Sequence, residues 1–247
     1  MTTSEMVDRT PEPSAPELRR SSGVPLEQRL NALRAGVLGA NDGIVSTAAV
    51  LVGVAGATVS TGPIITAGLA AAIGGAVSMA LGEYVSVSSQ RDSERALVDQ
   101  QRRALAEDPA REQRELAGIY EERGASAETA RRVAEELTAR DPLGTQVRER
   151  HGINQDGVAN PWHAAIASFA SFAIGAVLPM LAILLPGPDL RVPVTFAATL
   201  AALALTGAIA AWIGGGSRTR AAIRVVVGGA LALGATYAIG ALLGTTG

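Results

Sequence analysis

Five long apolar stretches and one densely charged stretch make up most of this chain of 247 residues. The apolar stretches cover about residues 35–59, 64–89, 163–185, 194–214 and 222–243. Each has about the 20 residues that an α-helix needs to cross a bilayer at about 1.5 Å of rise per residue. The pattern predicts an all-α membrane protein with five transmembrane helices.

Turn-forming residues separate the apolar spans. Residues 60–63 read STGP and predict a tight hairpin between spans one and two, and residues 186–188 read PGP and separate spans three and four. Span two meets no helix breaker between Gly82 and Asp108. We therefore expect it to continue beyond the membrane as one long helix.

The charged stretch, residues 91–160, is called the insert below. Opposite charges alternate along it at helical spacing, which is typical of solvated helix faces. Pro109, Gly124, Ser126 and the Asp141-Pro142 step are start and stop signals that predict about three helices. The expected fold is thus a five-span bundle with a three-helix insert between spans two and three.

Arginines in the short loops predict the orientation. Two arginines precede span one, Arg29 and Arg34, and three lie between spans four and five, Arg218, Arg220 and Arg224. The loops after spans one and three contain only Arg191. Because positively charged loops stay in the cytoplasm, the N-terminus and the insert are predicted to be cytoplasmic and the C-terminus outside.

These boundaries divide the chain into four segments. Residues 1–28 are rich in Pro and Ser and are predicted to be a disordered tail. Residues 29–90 form spans one and two, residues 91–160 the cytoplasmic, metal-binding-like insert, and residues 161–247 spans three to five. The absence of a targeting segment and a composition rich in Ala and Gly favour a bacterial plasma membrane.

Composition excludes several kinds of chemistry. The net charge of −2 gives no electrostatic reason to expect nucleic acid. There is no Cys, and all 21 basic residues are Arg. This composition excludes disulfides, thiolate sites, lysine Schiff bases and P-loop lysines. We expect that the protein is not an enzyme.

Asp42 and Glu83 carry the only formal charges between residues 35 and 90. A carboxylate inside a span costs about 2.5–3.5 kcal/mol and usually marks an ion path or a proton relay. The alternative is a position near the interface, where the Asp42 carboxylate reaches water. Glu83 has the same alternative, and otherwise would serve as a relay ligand or as a proton-exchanging group.

Met79 is predicted to lie close to Asp42. Counted inward from the hairpin, Asp42 is about 25 Å deep and Met79 about 22 Å deep at 1.5 Å per residue. A carboxylate and a thioether together suit a borderline transition metal. Met79 alone would be a packing residue, so the pairing carries this prediction.

The insert contains further candidate ligands. Glu112 and Glu115 are three residues apart and can point to one side of a helix, and Glu107 precedes them. Clustered carboxylates can bind divalent cations. The alternative is an ordinary charged helix in which the interleaved arginines neutralise the cluster.

Two segments carry a resemblance to a known family. Residues 33–47 read LRAGVLGANDGIVST and residues 75–86 read GAVSMALGEYVS. The chain from about residue 30 onward resembles the vacuolar iron transporter family, which includes the yeast calcium-sensitivity-complementing type and nodulin-like members. These two motifs are specific, whereas the later spans match mainly in their pattern.

The resemblance implies a five-span homodimer with a translocation path between the protomers, lined by span one. It implies export of ferrous iron, and often manganese, from the cytosol in exchange for protons, without a permanently bound cofactor. Asp42 and Met79 match the family's intramembrane metal ligands, and Glu83 matches a polar residue of many members. Glu112 and Glu115 fall on glutamate ligands of a cytoplasmic three-helix domain.

The insert also departs from the family pattern. Gln101 and Ala104 stand where a first glutamate pair is expected, and Gln146 and Arg150 where a methionine and another glutamate are expected. The leading hypothesis is a proton-coupled exporter of ferrous iron or manganese. The alternative is a membrane-anchored metal sensor or storage protein that acts through its charged insert.

Overall fold

The computed structural model describes residues 26–154 and 160–244, with side chains from residue 36 onward. Within these ranges the chain is helical and has no strands. The helices are α1 (Leu26–Ala57), α2 (Thr61–Glu107), α3 (Pro109–Glu122), α4 (Ala127–Arg140), α5 (Pro142–His151), α6 (Pro161–Leu184), α7 (Arg191–Ile213) and α8 (Arg218–Gly244), with a short 3₁₀ turn at Pro188–Leu190.

Five of the described helices are long and apolar enough to cross a membrane, which confirms the predicted number of spans. They contain the segments Gly36–Ala57, Thr61–Glu107, Pro161–Leu184, Pro188–Ile213 and Arg218–Gly244. The chain is therefore a multi-pass membrane protein by the length and composition of its helices.

The N-terminal boundary differs from the predicted one. Residues 1–25 of the predicted tail lie outside the described residues, and α1 begins at Leu26 rather than at residue 29. Residues 26–34 read LEQRLNALR and consist mostly of strong helix formers, so the helix starts directly after the last proline of the tail.

Helix α2 is one uninterrupted helix of 47 residues, as its lack of breakers predicted. At 1.5 Å per residue it is about 70 Å long, more than twice the roughly 30 Å of a hydrocarbon core. Its first half belongs to the bundle, and its second half extends beyond the bundle to meet α3 and α5.

Helix α1 is the central helix of the bundle and packs against α2, α6, α7 and α8. Glycines let the neighbours approach closely. A Cβ on Gly43 or on Gly75 would overlap Phe172, and a Cβ on Gly240 would overlap the backbone of Gly53. These contacts fix the rotation of α1 and therefore the direction in which Asp42 points.

The predicted breakers of the insert all coincide with helix ends. The side chains of Asp108, Ser126 and Asp141 accept hydrogen bonds from backbone N–H groups at the starts of α3, α4 and α5. Gly124, with φ of 98°, follows the end of α3. Helices α3 and α4 enclose a small core of Leu116, Ala117, Ala130 and Ala134.

Candidate functional site

The three consecutive residues Asn41, Asp42 and Gly43 face three different directions. Gly43 is buried against the backbone of Phe172 on α6. Asn41 Oδ1 accepts a hydrogen bond of 2.8 Å from Thr206 Oγ1 on α7. Asp42 is exposed. Close packing on the other sides thus directs the Asp42 carboxylate to a face of α1 that none of the other described helices covers.

Ser46 orients this carboxylate. Its hydroxyl, one turn after Asp42 on α1, donates a hydrogen bond of 2.8 Å to Asp42 Oδ1. No arginine or histidine forms an ion pair with Asp42 among the described side chains. Of the two carboxylate oxygens, Oδ1 is therefore the one held by a described side chain.

Met79 lies against α1 within one turn of Asp42. A Cβ built on Gly39 would be 3.4 Å from Met79 Cε and 3.6 Å from Met79 Sδ. Gly39 precedes Asp42 by three residues, which is less than one helical turn. The structure thus places the thioether next to the same helix as the carboxylate, at a level about 4.5 Å from it along the axis.

Glu83 lies one turn beyond Met79 on α2 and is half-buried. Ser86 and Gln90 follow it on the same side and are exposed, and Gln90 Nε2 donates a hydrogen bond of 2.9 Å to Glu94. The neighbouring Tyr84 contacts the ring of Trp162 at 4.9 Å between centroids, which fixes α2 against the start of α6.

The three candidate glutamates of the insert have different surroundings. Glu107 is exposed at the end of α2, whereas Glu112 on α3 is 3% exposed. Arg150 Nη2 on α5 lies 3.2 Å from Glu112 Oε2 and 2.5 Å from Glu115 Oε2. Within the described residues, no three His, Asp or Glu side chains converge as a metal site would require. For Glu112 and Glu115, the geometry matches the alternative in which arginines neutralise the cluster.

Hydrogen bonds hold Glu115 in its charged form. Arg111 on the preceding turn, at 2.8 Å, and Arg150 both donate to it and lower the pKa of its carboxyl below the ordinary value. Hydrogen bonds to the charged form have this effect because protonation would remove them.

Several contacts of the candidate residues and their neighbours were not predicted from the sequence. Ser46 lies four residues after Asp42, so helical spacing alone could have identified it. The hydrogen bond between Thr206 and Asn41 spans 165 residues, and the one between Arg150 and Glu115 spans 35. Local sequence patterns do not predict hydrogen bonds between residues so far apart in the chain.

Comparison with known proteins agrees with the two motifs. The model of the VIT family matches residues 33–241. A vacuolar iron transporter of Acanthamoeba castellanii is 41% identical over 211 residues, which cover 85% of this chain and 78% of that protein. The matched region contains the Asp42 motif, the Met79 motif and the insert.

Two plant proteins match over similar lengths. Vacuolar iron transporter homolog 1 of Oryza sativa subsp. japonica is 34% identical over 91% of this chain and 79% of its own. Vacuolar iron transporter homolog 1 of Arabidopsis thaliana is 30% identical over 93% of this chain and 92% of its own. With five membrane-length apolar helices among the described residues and a family match over most of its length, this chain belongs to the VIT family, a family of membrane transporters and not of enzymes.

Proposed function

We propose that this protein exports ferrous iron or manganese from the cytosol in exchange for protons. The observation that carries the proposal is the exposed Asp42 carboxylate on the central membrane helix, oriented by Ser46 and within one turn of the Met79 thioether. A charged group in a span is costly unless it serves transport or finds a partner.

The donor types support a divalent transition metal as the transported substrate. Carboxylate oxygen suits hard cations, and thioether sulfur shifts the preference toward softer ones, which together favour ions such as Fe²⁺ and Mn²⁺ over Mg²⁺ and Ca²⁺. Iron is supported by the names of the relatives. The ion is cargo, and the transport step calls for no permanently bound cofactor.

Proton exchange follows from the same ligands. A carboxylate coordinates a metal only when it is deprotonated, so a proton that arrives at Asp42 or Glu83 from outside promotes release of the metal. Departure of that proton to the cytosol restores the site. Glu83 suits this role because it is half-buried one turn from Met79, toward the extended end of α2.

A second copy of the chain is the proposed cover for the free face of α1. Leu38, 65% exposed, lies one turn before Asp42 on that face. In a homodimer, the two α1 helices would bring two Asp42 carboxylates and two Met79 thioethers to one path. Isolated in lipid, each carboxylate would be uncompensated.

The proposed orientation places the N-terminus and the insert in the cytoplasm and the C-terminus outside. Arg218 and Arg220 lie at the start of α8 on the side of the insert, and Arg191 lies on the opposite side, in agreement with the bias of cytoplasmic loops toward positive charge. We propose a bacterial plasma membrane. The exposed Glu107 fits a carboxylate that collects cations from the cytosol, whereas Glu112 and Glu115 are already paired with Arg150.

The test is proton flux in proteoliposomes with each of Fe²⁺, Mn²⁺, Co²⁺ and Zn²⁺ supplied in turn. The proposal predicts that Fe²⁺ and Mn²⁺ enter and that protons leave the vesicle lumen with them. A sensor or storage protein would bind the same ions without moving protons. Metal-independent proton flux, or no flux with any of the four, would overturn the proposal.

A further inference from the structure

The insert contains a partly buried ion cluster that the proposed transport path does not use. It lies where α2, α3 and α5 meet and consists of Gln101, Glu112, Glu115, Gln146 and Arg150. Glu112 is 3% exposed, Gln101 4% and Gln146 0%. A buried carboxylate is strongly destabilising unless a cation and hydrogen-bond donors compensate it.

Arg150 supplies that cation from within the chain. Its Nη2 lies 3.2 Å from Glu112 Oε2 and 2.5 Å from Glu115 Oε2, so one guanidinium nitrogen bridges both carboxylates. Because Arg keeps its charge at every physiological pH, the positive charge of this bridge does not depend on pH in that range. It connects the last helix of the insert to the first.

The amides of the cluster present donors rather than ligands. Gln101 Nε2 donates to Glu112 Oε2 at 2.6 Å, and Gln146 Nε2 donates to the Glu112 backbone oxygen at 2.7 Å. A divalent cation needs oxygen, nitrogen or sulfur lone pairs directed at it. With N–H groups and a guanidinium directed at Glu112, the cluster in this form does not fit a metal ion.

One acceptor in the cluster has no partner. Gln146 Oε1 is buried and makes no hydrogen bond. If the guanidinium were removed, the carboxylates of Glu112 and Glu115 would lose the cation that they now share. Among the described side chains, Arg150 is the one cation that contacts both carboxylates.

We propose that Arg150 is a built-in cation that replaces a metal ion in the insert. The insert therefore folds without metal, and α2, α3 and α5 stay packed together. Loss of the Arg150 charge converts the Glu112–Glu115 pair into a divalent-cation site. The inference concerns the insert alone and holds whether or not Asp42 and Met79 carry the transported ion.

The test counts bound Mn²⁺ by electron paramagnetic resonance on the full-length protein in detergent and follows thermal unfolding with and without EDTA. The variants are Glu115→Gln, Arg150→Met, Arg150→Lys and Arg150→Met with Glu112→Gln. The matched control is Arg131→Met. Arg131 on α4 is 75% exposed, and its ion pair with Glu135 is long at 3.8 Å.

The wild-type protein and Glu115→Gln are expected to bind the same number of Mn²⁺ ions, and EDTA is expected to leave wild-type unfolding unchanged. Arg150→Met should gain one Mn²⁺ per chain, and its unfolding temperature should rise with Mn²⁺. Arg150→Lys, Arg131→Met and the double variant should show no gain.

Two results would overturn the proposal. The first is a bound Mn²⁺ that the wild type has and Glu115→Gln loses, or a wild-type unfolding temperature that EDTA lowers. The second is an Arg150→Met protein that folds and binds no more Mn²⁺ than Arg131→Met. If Arg150→Met fails to fold even with Mn²⁺, the wild-type comparison with Glu115→Gln decides the matter alone.

Discussion

The sulfur of Met79 lies 3.6 Å from the point where a Cβ of Gly39 would stand. The two residues lie the same number of positions from the ends of the hairpin, Ala57 and Thr61, on antiparallel helices. The Met79 thioether thus packs against Gly39, within one turn of Asp42 on α1.

Gly39→Ala should disturb the packing of α1 that positions this thioether. The new Cβ would stand 2.9 Å from Ser171 Cβ, so α1 and α6 must move apart, while Met79 Cε would be in close contact at 3.4 Å. We expect a loss of about 1–3 kcal/mol in the free energy of unfolding, as for other overpacked sites, and a several-fold lower rate of metal transport. Thermal unfolding in detergent and uptake into proteoliposomes measure the two effects.

Gly74→Ala is the matched control. Gly74 lies on α2, and a Cβ there would meet nothing within 4 Å. The substitution should leave transport unchanged. If Gly39→Ala transported as fast as Gly74→Ala, the position of Met79 against Gly39 would have no bearing on transport.

Ser46→Ala should weaken metal binding by freeing the Asp42 carboxylate. The hydroxyl now holds Oδ1 at 2.8 Å, and hydrogen bonds to charged groups contribute about 1.5–3 kcal/mol. We expect a KM for the metal at least several-fold higher, with the protein folded normally. Ser46→Thr keeps the hydroxyl and should restore the wild-type KM, whereas equal KM values for all three proteins would contradict the orienting role.

The number of spans, the length of α2 and the three helices of the insert followed from the sequence alone. Charge-free runs, the absence of breakers after Gly82, and capping residues such as Ser126 and Asp141 are local signals, and local signals fix helix ends. The predicted tail extended to about residue 28, whereas α1 begins at Leu26, because residues 26–28 are good helix formers that follow the last proline.

Acid should loosen the insert through Glu115. Hydrogen bonds from Arg111 and Arg150 lower the pKa of its carboxyl in the folded protein. Its contribution to stability is therefore complete above the ordinary glutamate pKa of about 4.3 and is lost as the pH falls through the lower folded value. Glu115→Gln should remove this part of the acid dependence, as measured by unfolding of the full chain between pH 6 and pH 3.

Glu122→Gln serves as the control for that experiment, because Glu122 is exposed at the end of α3. It should leave the acid dependence as in the wild type. If Glu115→Gln and the wild type lost stability equally between pH 6 and pH 3, the ion pairs of Glu115 would contribute nothing to the insert.

Arg191 should hold the hairpin of α1 and α2 to the start of α7. Its Nη1 donates to the Val59 backbone oxygen at 3.1 Å and its Nη2 to Thr61 Oγ1 at 2.7 Å. Arg191→Ala should lower the free energy of unfolding by about 1–3 kcal/mol, since hydrogen bonds from a charged donor are lost. Thermal unfolding in detergent is the measurement, and the exposed Arg220→Ala is the control that should unfold like the wild type.

The site was less predictable than the fold. Counting residues inward from the hairpin predicted that Met79 and Asp42 lie at similar depths, because both are on helices joined by a short turn. The contacts of Arg150 and Thr206 depend on how α5 and α7 pack against distant helices, and those arrangements arise from tertiary packing. Glu112 looked like a ligand by composition because the residue that neutralises it lies 38 positions later in the chain.

The central claim is that the Asp42 carboxylate binds a divalent metal ion while the protein moves that ion across the bilayer in exchange for protons. Its most direct test is Mn²⁺ uptake into proteoliposomes with an acidic lumen, in which a pH-sensitive dye reports the lumenal pH. The account predicts that the wild type and the control Asp189→Asn take up Mn²⁺ while the lumen becomes more alkaline, and that Asp42→Asn loses both signals at least 10-fold. Mn²⁺ uptake and proton movement in Asp42→Asn at the wild-type rate would contradict it.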